Sequence, residues 1–379
     1  GIGQGSFKAN DETDLSAGLV VDSIIEYFKD DVSITYETID SIEYIVYTLK
    51  KDKIFDGDTP GLLIEPNTIF DGGDNTITHT KTTTEWGGLF KLADWSAYSN
   101  KTFKIRNVTF DAKGASIRGG GLIEDGYYSG KTDDCMPLGS SNTIILDNCH
   151  SKTSNGKFIK NWSGGLTGGR IGYMGTVKFL NCSNSINMNS SNNAPSGGLC
   201  GDLMGYKGTC IFENCYNTGE IAGGNRSGGI CSKQAGKDGS AIFKYCFNTG
   251  EIKSSYSGGI CGSDTGESAS EVLIQYCYNT GTINSSHAGG ITGFGTAYDG
   301  GVVTIINCYN TGDITMEYAG GICGYNTGGS AGIVNIYNCY NLGIITKGGG
   351  ITGSSTASTV TIKNCYHVGA STDKMADSG

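Results

Sequence analysis

Fourteen cysteines are the most reactive side chains of this 379-residue chain, and most of them recur at a regular spacing. Eight occupy one column of similar segments, from ILDNCHS through KFLNCSN and IFENCYN to TIKNCYH: Cys149, Cys182, Cys215, Cys246, Cys277, Cys308, Cys339 and Cys365. Thiols repeated in this way could form disulfides, bind zinc or pack as free thiols. The sequence has no Cys-x-x-Cys pair and only 4 histidines, without ligand spacing, so it assigns no metal and no cofactor.

A second column of cysteines bears on the choice between disulfides and free thiols. Cys200, Cys231, Cys261 and Cys323 follow a GG-Leu or GG-Ile segment, and Thr takes the same place at positions 167, 292 and 352. A position that accepts both Cys and Thr suits a small packed side chain better than an obligate disulfide partner. The pattern favours free, packed thiols and leaves disulfides as the alternative.

Aromatic side chains directly follow the cysteine column and are the candidate binding residues. They are Tyr216, Phe247, Tyr278, Tyr309, Tyr340 and Tyr366. Facing outward, they would form a strip able to stack on sugar rings, whereas facing inward they would belong to the core. A turn or bulge at the residue before the cysteine decides between the two, and we favour the cysteine facing inward. One residue further along, a structural ladder of stacked amides is predicted at Asn217, Asn248, Asn279, Asn310 and Asn341.

Charged residues that could support catalysis are concentrated in the first part of the chain. A polysaccharide lyase or hydrolase needs clustered carboxylates, or a carboxylate beside a basic residue, in a groove. The insertion at 123–143 could overhang a sheet as a binding loop. The candidates are Asp71, Asp74, Arg118, Lys131, Asp133 and Asp134. Because the repeats from residue 200 onward have no shared column of charged residues, no catalytic residue is assigned and an enzyme is the less favoured reading.

These side chains must be positioned by a repeated unit. The column cysteines from Cys215 to Cys339 are 31 residues apart, a period that indicates a solenoid. Residues five and three before the cysteine are mostly apolar, such as Val303 and Ile305, which is the alternation of a strand. A Gly and then an Ile follow, the isoleucines being Ile221, Ile252, Ile283, Ile314 and Ile345. The GG-Ile-Cys/Thr segment predicts a third short strand, with glycines supplying positive φ at the corners.

Three short strands per unit, each hydrogen-bonded to the next unit, predict an all-β fold, a right-handed parallel β-helix. Equivalent residues then stack about 4.8 Å apart along the axis, so that like side chains lie above one another. The Cys and Ile columns are therefore predicted to be ladders in the core.

Charge divides the chain into two regions. Residues 1–60 carry 13 acidic and 5 basic side chains, a net −8, whereas the remaining 319 residues carry 24 and 22, a net −2. We predict an acidic N-terminal cap or docking segment over 1–60 and the β-helix over 61–379. A short amphipathic helix is predicted near the start of the cap, with its apolar face at Leu19, Val20, Val21, Ile24, Ile25 and Phe28. The segment that follows, from Ile34 to Leu49, has the periods of both a helix and a strand.

The tandem phrases GGICG and NCYNTG resemble the repeats of the GLUG-motif family, over residues of about 87 to 379. The segment NTIFDGGDNTIT at 67–78 is similar to the opening turns of pectate-lyase-like right-handed β-helices. The first resemblance implies a secreted or surface protein of adhesin type. Cys or Thr stands here where Val is common in that family after GG-Ile.

Composition narrows the function. Charged residues are 17% of the chain and the net charge is −10, which argues against nucleic-acid binding, and no apolar run approaches the roughly 18 to 20 residues that cross a membrane. We therefore predict an extracellular structural or adhesive protein of a cell or virus-particle surface, forming a rigid fibre, spike or adhesin segment. Its expected partners are other copies, surface or capsid proteins, and glycans. The alternatives are a carbohydrate-active β-helix enzyme and a passive glycan-binding solenoid.

The repeat array is predicted to continue past residue 379. Gly379 lies 14 residues after Cys365, close to the distance at which other units begin their GG-Ile segment. An uncovered β-helix end invites pairing with other strands, so we expect a further unit or another protein to cover it.

Overall fold

The structure is a computed structural model that describes residues 24–57, 60–80, 86–127, 132–155, 159–160, 164–190, 194–269, 271–357 and 359–369. The chain winds into an all-β parallel solenoid of about nine turns, which confirms the predicted fold class. Helical backbone within these ranges is confined to residues 24–28 and to two 3-10 turns, Lys29–Asp31 and Thr132–Asp134. No helix in the described part of the chain is long and apolar enough to span a membrane.

The strands are short because the chain changes direction several times in each turn of the coil. The first, in chain order, are β1 (Val32–Ile39), β2 (Ile42–Leu49), β3 (Lys53–Phe55), β4 (Leu62–Leu63), β5 (Thr68–Asp71), β6 (Thr76–His79), β7 (Phe90–Lys91), β8 (Thr102–Asp111), β9 (Thr143–Lys152) and β10 (Ile159–Lys160). Those that follow in the regular repeats are β11 (Thr176–Leu180), β12 (Ser183–Asn184), β13 (Met188–Ser190), β14 (Thr209–Glu213), β15 (Tyr216–Asn217), β16 (Ile221–Asn225), β17 (Ser240–Lys244), β18 (Phe247–Asn248), β19 (Ile252–Ser255), β20 (Glu271–Gln275), β21 (Tyr278–Asn279), β22 (Val302–Ile306), β23 (Tyr309–Asn310), β24 (Ala319–Gly320), β25 (Ile333–Tyr337), β26 (Tyr340–Asn341), β27 (Gly348–Gly349), β28 (Val360–Lys363) and β29 (Tyr366–His367).

The N-terminal segment packs on the first turns of the solenoid. β1 and β2 form an antiparallel hairpin, and β2 pairs in parallel with β5, so the segment with two possible periods is strand. Residues 24–28 are helical, whereas Leu19, Val20 and Val21 of the predicted helix lie outside the described residues. The buried Phe28 ring lies 5.5 Å from the Phe70 ring between centroids. The helical turn thus covers part of the apolar interior at this end.

One long sheet carries the column strands of successive turns in register. β14 pairs in parallel with β17, which places Phe212 beside Phe243, and the same pairing continues through β20, β22, β25 and β28. A second sheet contains β10, β13, β16 and β19, and beyond β19 the same side of the solenoid is joined from turn to turn by single bridges between residues of the isoleucine column. The third side, which we call the third wall, is the segment with GG and the following Cys or Thr. It was predicted as a short strand and is held largely by single bridges such as Cys200–Cys231.

A left-handed residue before each column cysteine sets which side chains face inward. Asn214 has a φ of 54°, as do its equivalents one turn before and one turn after. In the strand before Asn214, alternate side chains face inward, and Phe212 is one of the buried ones. The left-handed residue shifts this alternation by one position, so that Cys215 is also buried and Tyr216 lies at the outer surface. Asn adopts this backbone region more readily than most residues, which accounts for its frequency before the cysteine.

Positive φ, the predicted reason for the repeated glycines, holds for one corner column, as at Gly205 and Gly236 with φ values of 66° and 69°, but the glycines of the GG pairs and of the Gly250 column are required for space instead. Gly229, the second glycine of a GG pair, is not among the residues with positive φ. A Cβ there would overlap the carbonyl oxygen of Gly259 in the next turn and would lie 2.6 Å from the Cβ of Asn248. A Cβ on Gly250, after the Asn column, would likewise overlap the carbonyl of the preceding turn. Close approach of consecutive turns therefore excludes a side chain at these positions.

A buried ladder of asparagine side chains runs along the axis beside these glycines. The Nδ2 of Asn248 donates to the Oδ1 of Asn279, and the Nδ2 of Asn279 donates to the Oδ1 of Asn310, each at 2.8 Å. The Nδ2 of Asn279 also donates to the carbonyl of Gly281 in its own turn, at 2.8 Å. These amides can be fully buried because their hydrogen-bonding groups are paired along the ladder.

Replacing Asn279 by Ala should lower the free energy of unfolding by about 2 to 4 kcal/mol, because it leaves an N–H of Asn248 and the Oδ1 of Asn310 buried without a partner. Urea denaturation followed by circular dichroism measures the change. The neighbouring Thr280 is exposed, so Thr280→Ala is the matched control and should change the value by less than about 0.5 kcal/mol. Equal losses in the two variants would contradict a stabilising role for the amide ladder.

Candidate functional site

The six aromatic residues predicted to bind glycans form one continuous stack on the outer surface. Successive ring centroids from Tyr216 to Tyr366 are 4.8 to 5.2 Å apart, and the planes of neighbouring rings differ by at most 8°. The rings are half-buried, except that Tyr366 is 53% exposed. The left-handed residue two positions before each ring turns the column outward, and the stacking of turns places one ring above the next.

Each ring in this outer stack covers faces of its neighbours, so the stack presents mainly ring edges and hydroxyl groups. Burial raises the pKa of Tyr309 and of Tyr340, which keeps both hydroxyls protonated as hydrogen-bond donors at neutral pH. A parallel column of exposed hydroxyls lies two residues further along, at Thr218, Thr249, Thr280 and Thr311. The surface can therefore form hydrogen bonds with a polar ligand along its length, whereas stacking on a sugar requires a free ring face.

The cysteine column lies inside the solenoid. Its thiols are fully buried from Cys149 to Cys339, Cys365 is partly exposed, and all fourteen cysteines of the chain are free. Column thiols donate to backbone carbonyls, as Cys277 Sγ does to the Phe243 oxygen at 3.5 Å. The isoleucine column is also buried, at Ile221, Ile252, Ile283, Ile314 and Ile345. Both columns lie where they fill the interior rather than meet a ligand.

The chemistry of these thiols follows from their burial. Burial raises the pKa of Cys323 in the second cysteine column to about 12, and it raises the pKa of Cys261 as well. The thiolate of Cys261 and of Cys323, the form that acts as nucleophile and metal ligand, is therefore disfavoured. Among the described residues, no group of three or more His, Cys, Asp or Glu could hold a metal ion.

The carboxylates named from the sequence make separate structural contacts. Asp71 accepts a hydrogen bond from Arg106 Nε at 2.7 Å, and the same guanidinium donates to Glu37 at 2.8 Å, which ties the N-terminal hairpin to the sheet. The hydrogen bonds from Arg106 lower the pKa of Glu37. Asp74 is an exposed turn residue with a φ of 61°. Lys131 lies outside the described residues.

Asp133 anchors the predicted insertion loop to the following turns. Its Oδ2 accepts hydrogen bonds from Lys207 Nζ at 2.6 Å and from the Tyr173 hydroxyl at 2.8 Å. The bond from Lys207 lowers the pKa of Asp133, while burial and the bond to Asp133 raise the pKa of Tyr173 to about 12. Arg118 and Asp134 also have interaction partners. Asp71 and Asp133 thus have structural roles, in joining the hairpin to the sheet and the loop to the following turns.

A charged corner that sequence reasoning missed is formed by Asp125, Arg170, Asp202 and Lys233. Arg170 lies 3.0 Å from Asp125 and 3.8 Å from Asp202, and Asp202 lies 3.9 Å from Lys233, all between charged atoms. The guanidinium also lies 5.4 Å from the centre of the Tyr127 ring. These residues follow the bridged residue of the third wall, where residue type varies from turn to turn. That variation within an otherwise repetitive chain is the signal that could have identified them.

The charged corner has one property of an acid–base site. Burial raises the pKa of Asp125, and the positive charge of Arg170 opposes the shift. Burial also raises the pKa of the adjacent Glu124. A carboxyl group whose pKa is raised can act as a general acid, although burial in a purely structural position raises a carboxyl pKa in the same way.

Comparisons with known proteins add two solved structures of low similarity. A structure from Bacteroides ovatus, described provisionally as an immunoglobulin A1 protease, is 17% identical with a TM-score of 0.32, and the match covers 86% of this chain and 78% of that chain. The A-module of a mannuronan C-5 epimerase of Azotobacter vinelandii is 12% identical with a TM-score of 0.33, covering 86% and 89%. No family profile and no curated protein matches the chain. The resemblance to the GLUG-motif family stays a prediction.

A thiol titration of the folded 379-residue chain should detect one reactive cysteine, Cys365, because the other thirteen cysteines are buried. Ellman's reagent in mildly alkaline buffer measures the number, and all fourteen thiols should react after unfolding without a reductant. Cys365→Ser is the control and should abolish the native signal. Fewer than fourteen thiols after unfolding would indicate disulfides, and several reactive thiols before unfolding would contradict the packed interior.

Proposed function

We propose that this chain is a rigid structural or adhesive element of a cell or particle surface. The observation that carries the proposal is the continuity of the interior, in which the asparagine ladder runs from Asn184 to Asn341 through consecutive hydrogen bonds. Each turn is held to its neighbours by matching contacts, so that the repeats act as one rod rather than as separate domains. Such a rod keeps surface groups at fixed separations.

The division between constant and variable positions supports a role in presentation. The column thiols from Cys149 to Cys339 and the ladder amides from Asn184 to Asn341 are buried in the interior, where a substrate cannot reach them. Residues at the corners differ from turn to turn, as Asp202, Lys233 and Phe294 do at equivalent positions. A scaffold with a constant interior and variable corners is suited to carrying binding groups on a stiff support.

A surface location is consistent with the cysteine content. Free thiols in an oxidising environment usually become disulfides when an oxidant can reach them. The column thiols from Cys149 to Cys339 are sealed in the interior, which protects them from oxidants outside the protein.

Surface labelling of intact cells or particles from the native source tests this location. A membrane-impermeant amine reagent should label the protein before lysis, because lysine side chains such as Lys51 are exposed. A cytoplasmic protein of the same source serves as the control for leakage. Labelling that appears only after lysis would contradict the proposal.

A carbohydrate-active enzyme is the second candidate, and the half-buried Asp125 beside Arg170, with its raised pKa, is the observation that favours it. The structural proposal predicts that the wild-type protein releases neither new reducing ends nor unsaturated ends from polysaccharides. Turnover that is lost in Asp125→Asn would establish the enzyme instead. Asp264→Asn is the matched control, since Asp264 also has a pKa raised by burial and pairs with Arg226 at 2.9 Å in a later turn.

A further inference from the structure

A second group of aromatic rings lies at a different corner of the solenoid. We name it the aromatic platform, and it consists of Tyr256, His287, Phe294, Tyr318 and Tyr325. Its first row stacks along the axis, with the His287 ring 4.8 Å from the Tyr256 ring and 4.8 Å from the Tyr318 ring. The three residues occupy equivalent positions of successive turns, just before the GG-Ile segment.

The second row of the platform has a different orientation. The Phe294 and Tyr325 rings are 5.8 Å apart with planes only 10° from parallel. Phe294 is at 88° to Tyr256, and Tyr325 is at 79° to Tyr318. The first row stacks face to face along the axis. Because Phe294 and Tyr325 are nearly perpendicular to the first-row rings, their faces point away from this stacking direction.

This orientation makes Phe294 and Tyr325 different from the outer stack. In the outer stack each ring covers faces of its neighbours, whereas each ring of the second row meets the edges of the first row on one side. The Phe294 and Tyr325 centroids are 5.8 Å apart, compared with 4.8 to 5.2 Å in the outer stack, so these two rings cover less of each other's faces. Both residues are half-buried, so the two faces are held rigidly and need little ordering on binding.

The fold does not require aromatic residues at these positions. Serine occupies the place of Phe294 in the preceding turn and the place of Tyr325 in the following turn, at Ser263 and Ser354. In the first row, Tyr256, His287 and Tyr318 have φ values of 61°, 59° and 61°, a feature of the repeat that Arg226 shares one turn earlier at 65°. The aromatic residue types at Phe294 and Tyr325, by contrast, are confined to two successive turns, so the repeat does not dictate them.

The charges around the platform select the kind of ligand. Burial lowers the pKa of His287, with the nearby Glu317 opposing the shift, so the ring is uncharged at neutral pH. Arg226, one turn before Tyr256, is neutralised by Asp264 at 2.9 Å. The exposed Glu317 disfavours an anionic ligand beside the rings, and the exposed Lys347 takes the place of Tyr318 in the next turn, beyond the two rings of the second row. Two flat apolar faces with hydroxyl groups nearby suit the apolar C–H faces of neutral sugar rings.

We propose that the aromatic platform binds a neutral polysaccharide that runs along the solenoid axis, with one sugar ring on Phe294 and the next on Tyr325. The proposal rests on the adhesive function and specifies its ligand. It assigns glycan binding to a pair of rings with accessible faces rather than to the six-membered outer stack.

Isothermal titration calorimetry with hexasaccharides tests the platform. The probes are β-1,4-linked hexamers of glucose, of N-acetylglucosamine and of mannose, together with a hexamer of uronic acid. At least one neutral hexamer should bind the wild type, and the Phe294→Ser/Tyr325→Ser double variant should bind it at least about tenfold more weakly, since both stacking faces are lost. The substitutions introduce the residue that the adjoining turns already have at these positions.

The matched control removes two exposed stacked rings elsewhere, in Tyr245→Asn/Tyr276→Asn, which introduces the Asn found in neighbouring turns. This variant should retain wild-type affinity, and unchanged circular dichroism should show that both double variants fold. Equal binding by the Phe294→Ser/Tyr325→Ser variant, binding of the uronic acid hexamer alone, or no binding of any neutral hexamer to the wild type would overturn the proposal. Surface labelling of intact cells is independent of these results, so failure of the ligand proposal is distinguishable from failure of the proposed function.

Discussion

The contact between consecutive turns is the constraint on which the rest of the structure depends. The turns approach so closely at the GG segment that a Cβ on Gly229 would overlap a carbonyl of the next turn. At the same height the Asn248 amide spans the gap between turns by donating to Asn279. Glycine and asparagine are thus selected together, one because it leaves room and the other because its amide pairs with an identical neighbour. Residue identity along these columns is a consequence of packing.

The same constraint separates structure from function. Columns that point into the rod must match the turn above and below, so their residues are explained by stacking alone. Corners that point outward carry no such requirement, and they differ between turns, as the charged pair Asp125–Arg170 and the rings of Phe294 and Tyr325 illustrate. Function in this chain is therefore expected where the repeats depart from one another rather than where they agree.

The sequence predicts the architecture well because every turn repeats the same pattern of residue types. The 31-residue period and the alternation around Val303 and Ile305 are sufficient for parallel stacked strands. The inward orientation of Cys215 is favoured by the sequence but not determined by it, because it depends on the left-handed conformation of Asn214. Tyr245 and Tyr276 occupy the same position in later turns, and tyrosine does not indicate this conformation.

The candidate sites were harder to predict for a physical reason. The sequence identifies a column of rings from Tyr216 onward but does not reveal that stacking would cover their faces. Phe294 and Tyr325 form a pair only because two rows of side chains meet at a corner, and two residues do not make a column. The reason for the GG glycines was not predicted, because a positive φ is a local property, whereas the approach of the next turn is not.

Backbone hydrogen exchange measured by mass spectrometry tests the central claim, a continuous interior, most directly. We expect slow exchange in the column strands β14 to β25, because every central turn is held on both sides. Protection from exchange should be greatest in the central turns and decline smoothly toward the ends. Separate protected blocks with fast-exchanging boundaries between turns, or equal and rapid exchange throughout the repeats, would contradict it.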